Sequence, residues 1–208
     1  MYIFDLKSEK INFLYFCSII FMILPIYAYG SPVLRRESEE IEKDYPELKK
    51  LIDDMFETMY AAEGIGLAAP QIGKNIRLIV IDSKSMSEDF PGEGLDEFKE
   101  VFINPIIEEE FGDDFTFREA CLSLPRISEE ITRPSNIIVS YYDREWNLIE
   151  KEFSGVKARI IQHEYDHLEG QMWIDKASTL RRKLLQSKLD KISKGKVYHN
   201  YPMKFSFK

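Results

Sequence analysis

The sequence predicts an α+β fold: antiparallel strands packed around a central helix with a His-Glu-x-x-His pattern, and another helix near the C-terminal end. Three observations carry this expectation. Residues 155–168 are free of proline, contain His163-Glu164-Tyr165-Asp166-His167, and are followed by Gly170, a natural left-handed stop. Several strand-like segments follow one another before that helix instead of alternating with helices. Leucines then recur at helical spacing through residues 176–194.

The elements follow in order. Residues 46–60 read as an amphipathic helix, with Asp44 as cap, Pro46 and Glu47 in the first turn, and Leu48, Leu51, Ile52, Met55 and Met59 on the buried stripe. Residues 76–82 form a continuous apolar run, hence a strand. Residues 83–99 are polar, acidic and broken by Pro91, Gly92 and Gly94, and read as a surface loop. Residues 101–104 form a short strand that Pro105 stops. Residues 137–142 and 148–153 alternate and are joined by 143–147 as a hairpin. In residues 176–194, Leu180, Leu184, Leu185, Leu189 and Ile192 are expected to face inward, with Gly195 ending the helix.

The length of 208 residues suits one domain. A hydrophobic content of 44% and a charged content of 31% are those of a soluble globular protein. Two cysteines exclude a disulfide framework and fit a reducing compartment. The net charge of −8 hides an asymmetry, since residues 176–208 hold ten of the 28 Lys/Arg and one of the 36 Asp/Glu. At the other end, Lys7 and Lys10 precede an apolar run over 11–29. A secretory signal, a membrane anchor or translation beginning at Met22 would each explain it.

Two histidines four residues apart share one face of a helix, so both imidazoles can reach one metal ion. Only three histidines occur in the chain, and two of them fall here. Val156, Ile160, His163 and His167 share a stripe, and Glu164 projects to one side, where a carboxylate can act on water at the metal. A catalytic tetrahedral site needs a third protein ligand. Downstream, Glu169 is too close and His199 lies in a tail. Upstream, Cys121 stands in Glu119-Ala120-Cys121-Leu122-Ser123. A lone cysteine is usually a buried, inert thiol, but a two-histidine helix lacking a third ligand favours Cys121 as that ligand. The third stretch, Gly64-Ile65-Gly66-Leu67-Ala68-Ala69-Pro70-Gln71, lets another chain segment approach closely and offers the Gln71 amide. Its missing Lys-Ser/Thr ending excludes a phosphate cradle.

These three stretches, in this order, resemble the peptide deformylases, which carry Gly-x-Gly-x-Ala-Ala-Pro-Gln, Glu-Gly-Cys-Leu-Ser and Gln-His-Glu-x-Asp-His. Residues 64–71, 119–123 and 162–167 match, and the resemblance runs from about Met22 to about Leu189. Ala120 departs from the usual glycine, and would be strained if its site needed a positive φ. The resemblance implies the same fold, with the strands packed around a metal-binding helix. It also implies removal of the formyl group from N-terminal formyl-methionine of new polypeptides, releasing formate.

The implied roles follow residue by residue. Cys121, His163 and His167 hold one divalent metal. Ferrous iron is expected from the resemblance alone, as ligand type leaves zinc, nickel and cobalt open. Glu164 is general base and acid, while the Gln71 side-chain amide and Leu122 backbone N–H meet the oxyanion. Gly64, Ile65, Gly66 and Leu67 pair with an extended substrate like an added strand. Phe117, Glu119, Val156, Arg159, Ile160 and His163 occupy family positions around the methionine pocket, although Arg159 is polar for such a wall. Asp166 is expected either to pair with Arg133 and orient the site, or to be a solvated carboxylate.

The basic C-terminal helix, with Arg181, Arg182, Lys183, Lys188, Lys191 and Lys194, is read as a solvated face or as a surface that docks on the ribosome. The resemblance favours Met22 as the functional start, because Met22-Ile23-Leu24-Pro25-Ile26 and Ser31-Pro32-Val33-Leu34-Arg35 look like the family's opening. Residues 1–21 are then an extension, 22–195 the catalytic domain and 196–208 an irregular basic tail. Cytoplasmic location without stable membrane association is expected. A zincin-type protease would need a persuasive downstream ligand. An inactive binding protein would have no need of Glu164, Gln71 and Cys121 together, and a membrane-anchored structural protein would explain residues 11–29 alone.

Overall fold

The computed structural model describes residues 21–206. The readings placed on residues 1–20 lie outside the described residues. Helix α1, Leu48–Ala61, buries Leu48, Ile52, Met55 and Met59 on one stripe, as its spacing requires. It starts at Leu48 and not at 46, because Glu47 sits in the left-handed region at φ 55.

Five strands form one antiparallel sheet in the order β2-β3-β4-β5-β6: β2 Gly66–Ala68, β3 Leu78–Asp82, β4 Lys99–Cys121, β5 Leu124–Tyr142 and β6 Leu148–Ser154. The continuous apolar run of β3 is explained by burial on both faces. Leu78 and Val80 pack with the α1 stripe, while Ile79 and Ile81 pack with Val156, Ile160 and Ile161 of helix α2, Gly155–Leu168. The expected hairpin is present. Its turn is held by the Asp143 carboxylate, which accepts from the N–H groups of Glu145 at 2.9 Å and Asn147 at 2.8 Å.

Two expectations for this region are corrected. Pro105 does not stop the strand, since β4 runs on to Cys121. The pairing register shifts between Ile103 and Ile106, so the ladder does not need the missing proline N–H. Asn104, at φ 49, turns its side chain to the backbone of Ile41, and the Arg77 guanidinium donates to the Pro105 carbonyl at 2.9 Å. Residues 83–99 are not merely a polar surface loop. Leu95 and Phe98 are buried against α2, and the Glu93 carboxylate accepts from the Val156 N–H at 3.1 Å, supporting the start of that helix.

After α2 come a single helical turn, α3 Trp173–Lys176, and α4, Thr179–Ser193. Leu185, Leu189 and Ile192 of α4 are buried as expected, but Leu180 and Leu184 are 66% and 63% exposed. They lie roughly 100° or more round the helix from the buried stripe at 3.6 residues per turn. The tail is irregular over most of its described length, with one short ordered piece. Strand β7, Met203–Lys204, pairs in parallel with β1, Ile26–Tyr27, joining the two ends of the domain.

Candidate active site

The end of β4 and one face of α2 converge on a single point. Among the described residues, Cys121, His163 and His167 are all buried and present ligand atoms within 4.8 Å of one another. The four-residue spacing sets the two imidazole centroids 5.4 Å apart, and Cys121 Sγ lies 3.3 Å from His167 Nε2. His163 Nδ1 donates to the Glu119 carboxylate at 2.8 Å, which turns its Nε2 toward Cys121 and the point where a metal would sit. One thiol and two imidazoles suit a divalent transition ion, so the donor set fits such a metal.

A buried charge network stands behind this cluster. Arg133 donates to Glu119 at 2.8 and 2.9 Å and to Asp166 at 2.7 Å, and Lys176 lies 3.1 Å from Asp166. Asp166 is therefore paired with Arg133 and is not a solvated carboxylate. Burial alone would raise the Glu119 pKa, but the hydrogen bonds from His163 and Arg133 outweigh it and hold it at about 2. Burial would likewise lower His163, yet its hydrogen bonds to Cys121 and Glu119 keep it well above the usual imidazole range. His167 falls well below that range, through burial reinforced by the charges of His163, Arg133 and Arg35.

Glu164 is buried, and its Oε2 has no hydrogen-bond partner among the described residues. Burial, with the nearby Glu119 charge and against that of His163, pushes its pKa up to about 7. The glycines of the 64–71 stretch are explained by side chains that crowd them. A Cβ on Gly66 would lie 2.5 Å from Glu164 Oε1, and one on Gly64 would lie 2.8 Å from Leu122 Cδ1. The Gln71 amide is fixed at both ends. Its oxygen accepts from the Ala68 N–H at 2.8 Å, and its nitrogen points toward Cys121 Sγ at 3.6 Å and Ser123 Oγ at 3.3 Å.

A cavity of about 490 Å³ opens above these groups. Gly64, Ile65, Gly66, Gln71, Phe117, Glu119, Cys121, Leu122, Arg159, Ile160, His163 and Glu164 all line it. Leu67 and Val156 do not, and are buried in the cores packed with α1 and α2. Arg159 is tolerated because it donates to the carbonyls of Ile131, at 2.9 Å, and Phe115, with Phe115 and Phe117 beside its guanidinium. Burial lowers its pKa to about 10. His199 lines the cavity but lies outside the three-ligand cluster, its Nδ1 donating to the Tyr201 carbonyl at 2.8 Å. Ala120 does not have a positive φ and is exposed, so its methyl group brings no strain.

Sequence reasoning placed Glu119 in a pocket wall and missed its grip on His163. The signal was present, because residues two apart on a strand share a face and Glu119 stands two before Cys121. It also missed Ser123, fully buried as a partner of Gln71, and the cavity wall contributed by the tail.

Such a fold, with a buried Cys-His-His cluster that could hold a metal ion and an adjacent buried glutamate, is that of a hydrolase. The family profile described as Polypeptide deformylase matches residues 23–183. The chain is 47% identical over 192 residues to the peptide deformylase of Christiangramia forsetii, covering 88% of this chain and 96% of that one. It is 46% identical to that of Cytophaga hutchinsonii, covering 90% and 100%. Among solved structures, the peptide deformylase of Plasmodium falciparum superposes with a TM-score of 0.72 at 37% identity, covering 82% of this chain and 95% of that one. A peptide deformylase from Synechococcus elongatus in complex with actinonin superposes at 0.70 and 37%, covering 87% and 92%. The chain belongs to the peptide deformylase family.

Proposed function

We propose that this chain removes the formyl group from the N-terminal formyl-methionine of newly synthesised polypeptides, releasing formate. The observation that carries this reading is the meeting of Cys121, His163 and His167 within 4.8 Å beside the buried Glu164 in one cavity. Those three residues would hold the metal, with ferrous iron as the native ion on family grounds. When bound, the metal supplies Lewis acidity toward water and toward a carbonyl oxygen.

The chain's own residues supply the rest. Glu164 takes the proton of the attacking water as a C–O bond forms at the formyl carbon. It returns that proton to the amine nitrogen as the C–N bond breaks. The Gln71 amide and the Leu122 N–H stabilise the oxyanion, and the loss of one such donor costs about 3–4 kcal/mol. Gly64, Ile65 and Gly66 offer backbone along the cavity for an extended chain, while Phe117 and Ile160 supply apolar wall for the methionine. Arg133 and Asp166 orient the site through Glu119. A formyl-Met peptide assay of formate release, with and without chelator, tests this. Metal-dependent release is expected, and metal-independent release or none would overturn it.

The substrate emerges at the ribosome, which supports a cytoplasmic location and docking by α4. Among the described residues no helix is long and apolar enough to cross a membrane. Two of the basic groups near this surface are already engaged, Arg181 with Glu129 at 2.6 Å and Lys176 with Asp166. Arg182, Lys183, Lys188, Lys191 and Lys194 are therefore the ones assigned to RNA phosphates, and the first three are taken for the test. Co-sedimentation with ribosomes should weaken as salt rises and be lost in an Arg182→Glu, Lys183→Glu, Lys188→Glu variant. Salt-independent sedimentation retained in that variant would leave α4 with only a packing role.

A further inference from the structure

The family match ends at residue 183, yet the chain beyond α4 returns to the active site. Tyr198, His199, Asn200 and Tyr201 line the same cavity as the Cys-His-His cluster. The tail is fastened there by backbone pairing. The Ile26 N–H donates to the Pro202 carbonyl and the Ala28 N–H to the Lys204 carbonyl, both at 2.9 Å. From this anchored position the Tyr201 hydroxyl donates to the Leu122 carbonyl at 2.7 Å. On the other side, the Tyr29 N–H donates to the Ser123 carbonyl at 2.8 Å.

Cys121 pairs with Leu124, so Leu122 and Ser123 form the turn that ends the β4–β5 ribbon. That turn is held at two consecutive carbonyls, one by the C-terminal tail and one by the segment following β1. The Leu122 carbonyl belongs to the peptide unit next to the one bearing the Leu122 N–H, and the two units share the Leu122 Cα. Fixing the first limits rotation of the second.

We propose that Tyr201 is a positioning residue, whose hydrogen bond to the Leu122 carbonyl holds the Leu122 N–H in line with the oxyanion. This rests on the deformylase reading of Leu122. An oxyanion donor acts only when aligned with charge that develops in the transition state, so a small misplacement is felt in rate more than in binding. Loss of the hydroxyl should therefore lower kcat and leave KM in place.

The test compares the full-length, metal-loaded wild type with Tyr201→Phe, which keeps the ring. Both are assayed on a formyl-Met peptide, alongside bound metal and thermal midpoint. A kcat lower by roughly three- to tenfold is expected, with KM, metal content and midpoint held. An unchanged kcat would overturn the proposal. So would a loss of rate that tracks loss of metal or a lowered midpoint, since Tyr201 would then be structural only. An inactive wild type would overturn the deformylase reading itself, and this proposal with it.

Discussion

Helices α2 and α4 are similar in length, 14 and 15 residues, but the molecule treats them differently. Eleven residues of α2 are buried, including Arg159, Gln162, His163, Glu164, Asp166 and His167, whereas α4 buries only Leu185, Leu189 and Ile192. A helix so largely enclosed needs partners that offset the desolvation of most of its polar groups. Those partners come from the β4–β5 ribbon: Glu119 for His163, Arg133 for Asp166, and Glu110 for Gln162 at 2.8 Å. Helix α4 packs along one stripe, and its stability is mostly a matter of apolar area. Chemistry sits on the first helix because only there can charges be fixed and shielded.

The largest expected effect is at Cys121. In Cys121→Ser the hydroxyl stays un-ionised where the thiol would ligate as a thiolate. Metal affinity should fall by more than the ten- to hundredfold typical of outer-shell partners, and activity should fall with it. Metal analysis after dialysis checks this, and full occupancy with normal turnover would remove Cys121 from the ligand set.

The network behind the cluster comes next. Glu119 has its pKa held at about 2 against an ordinary 4.5. Its contribution to stability is therefore complete above about 4.5 and is lost as the pH falls toward 2. By linkage it is worth on the order of 3 kcal/mol. Urea unfolding of the metal-free protein across that window should show the loss, and a flat profile would mean that the network does not stabilise the fold.

The two helices were unequally legible in the sequence. The His-Glu-x-x-His spacing gave α2 both its element and its face, because helix geometry alone brings i and i+4 together. The ribbon that completes the site was hidden. Its inward positions include Glu119, Glu129 and Arg133, so alternation of hydrophobicity fails where charges are buried. Pro105 added a false stop, since a bulge that absorbs proline leaves no mark in local sequence. In α4 the opposite error arose. Leu180 and Leu184 carry the right residue type for a core, but the helix presents a narrower stripe than its leucines suggest. The tail, short and basic, gave no sign that it pairs with β1.

The smallest effects sharpen the reading of α4. Leu185→Ala should cost roughly 2–3 kcal/mol by chemical denaturation, as a buried leucine truncated at a helix interface. Leu184→Ala, one position away and exposed, should stay within about 0.5 kcal/mol. Equal losses at the two positions would mean that the narrow stripe is wrong.

Metal binding and proton transfer are separate tasks of neighbouring residues on α2, and Glu164→Ala tests that separation. Metal content and formate release should be measured on the same loaded preparation. The expected result is metal bound as in the wild type, with release slower by roughly 10²–10⁴-fold, the range that a general acid–base group supplies. A variant that keeps its rate, or loses its metal together with its rate, would contradict the assignment of Glu164.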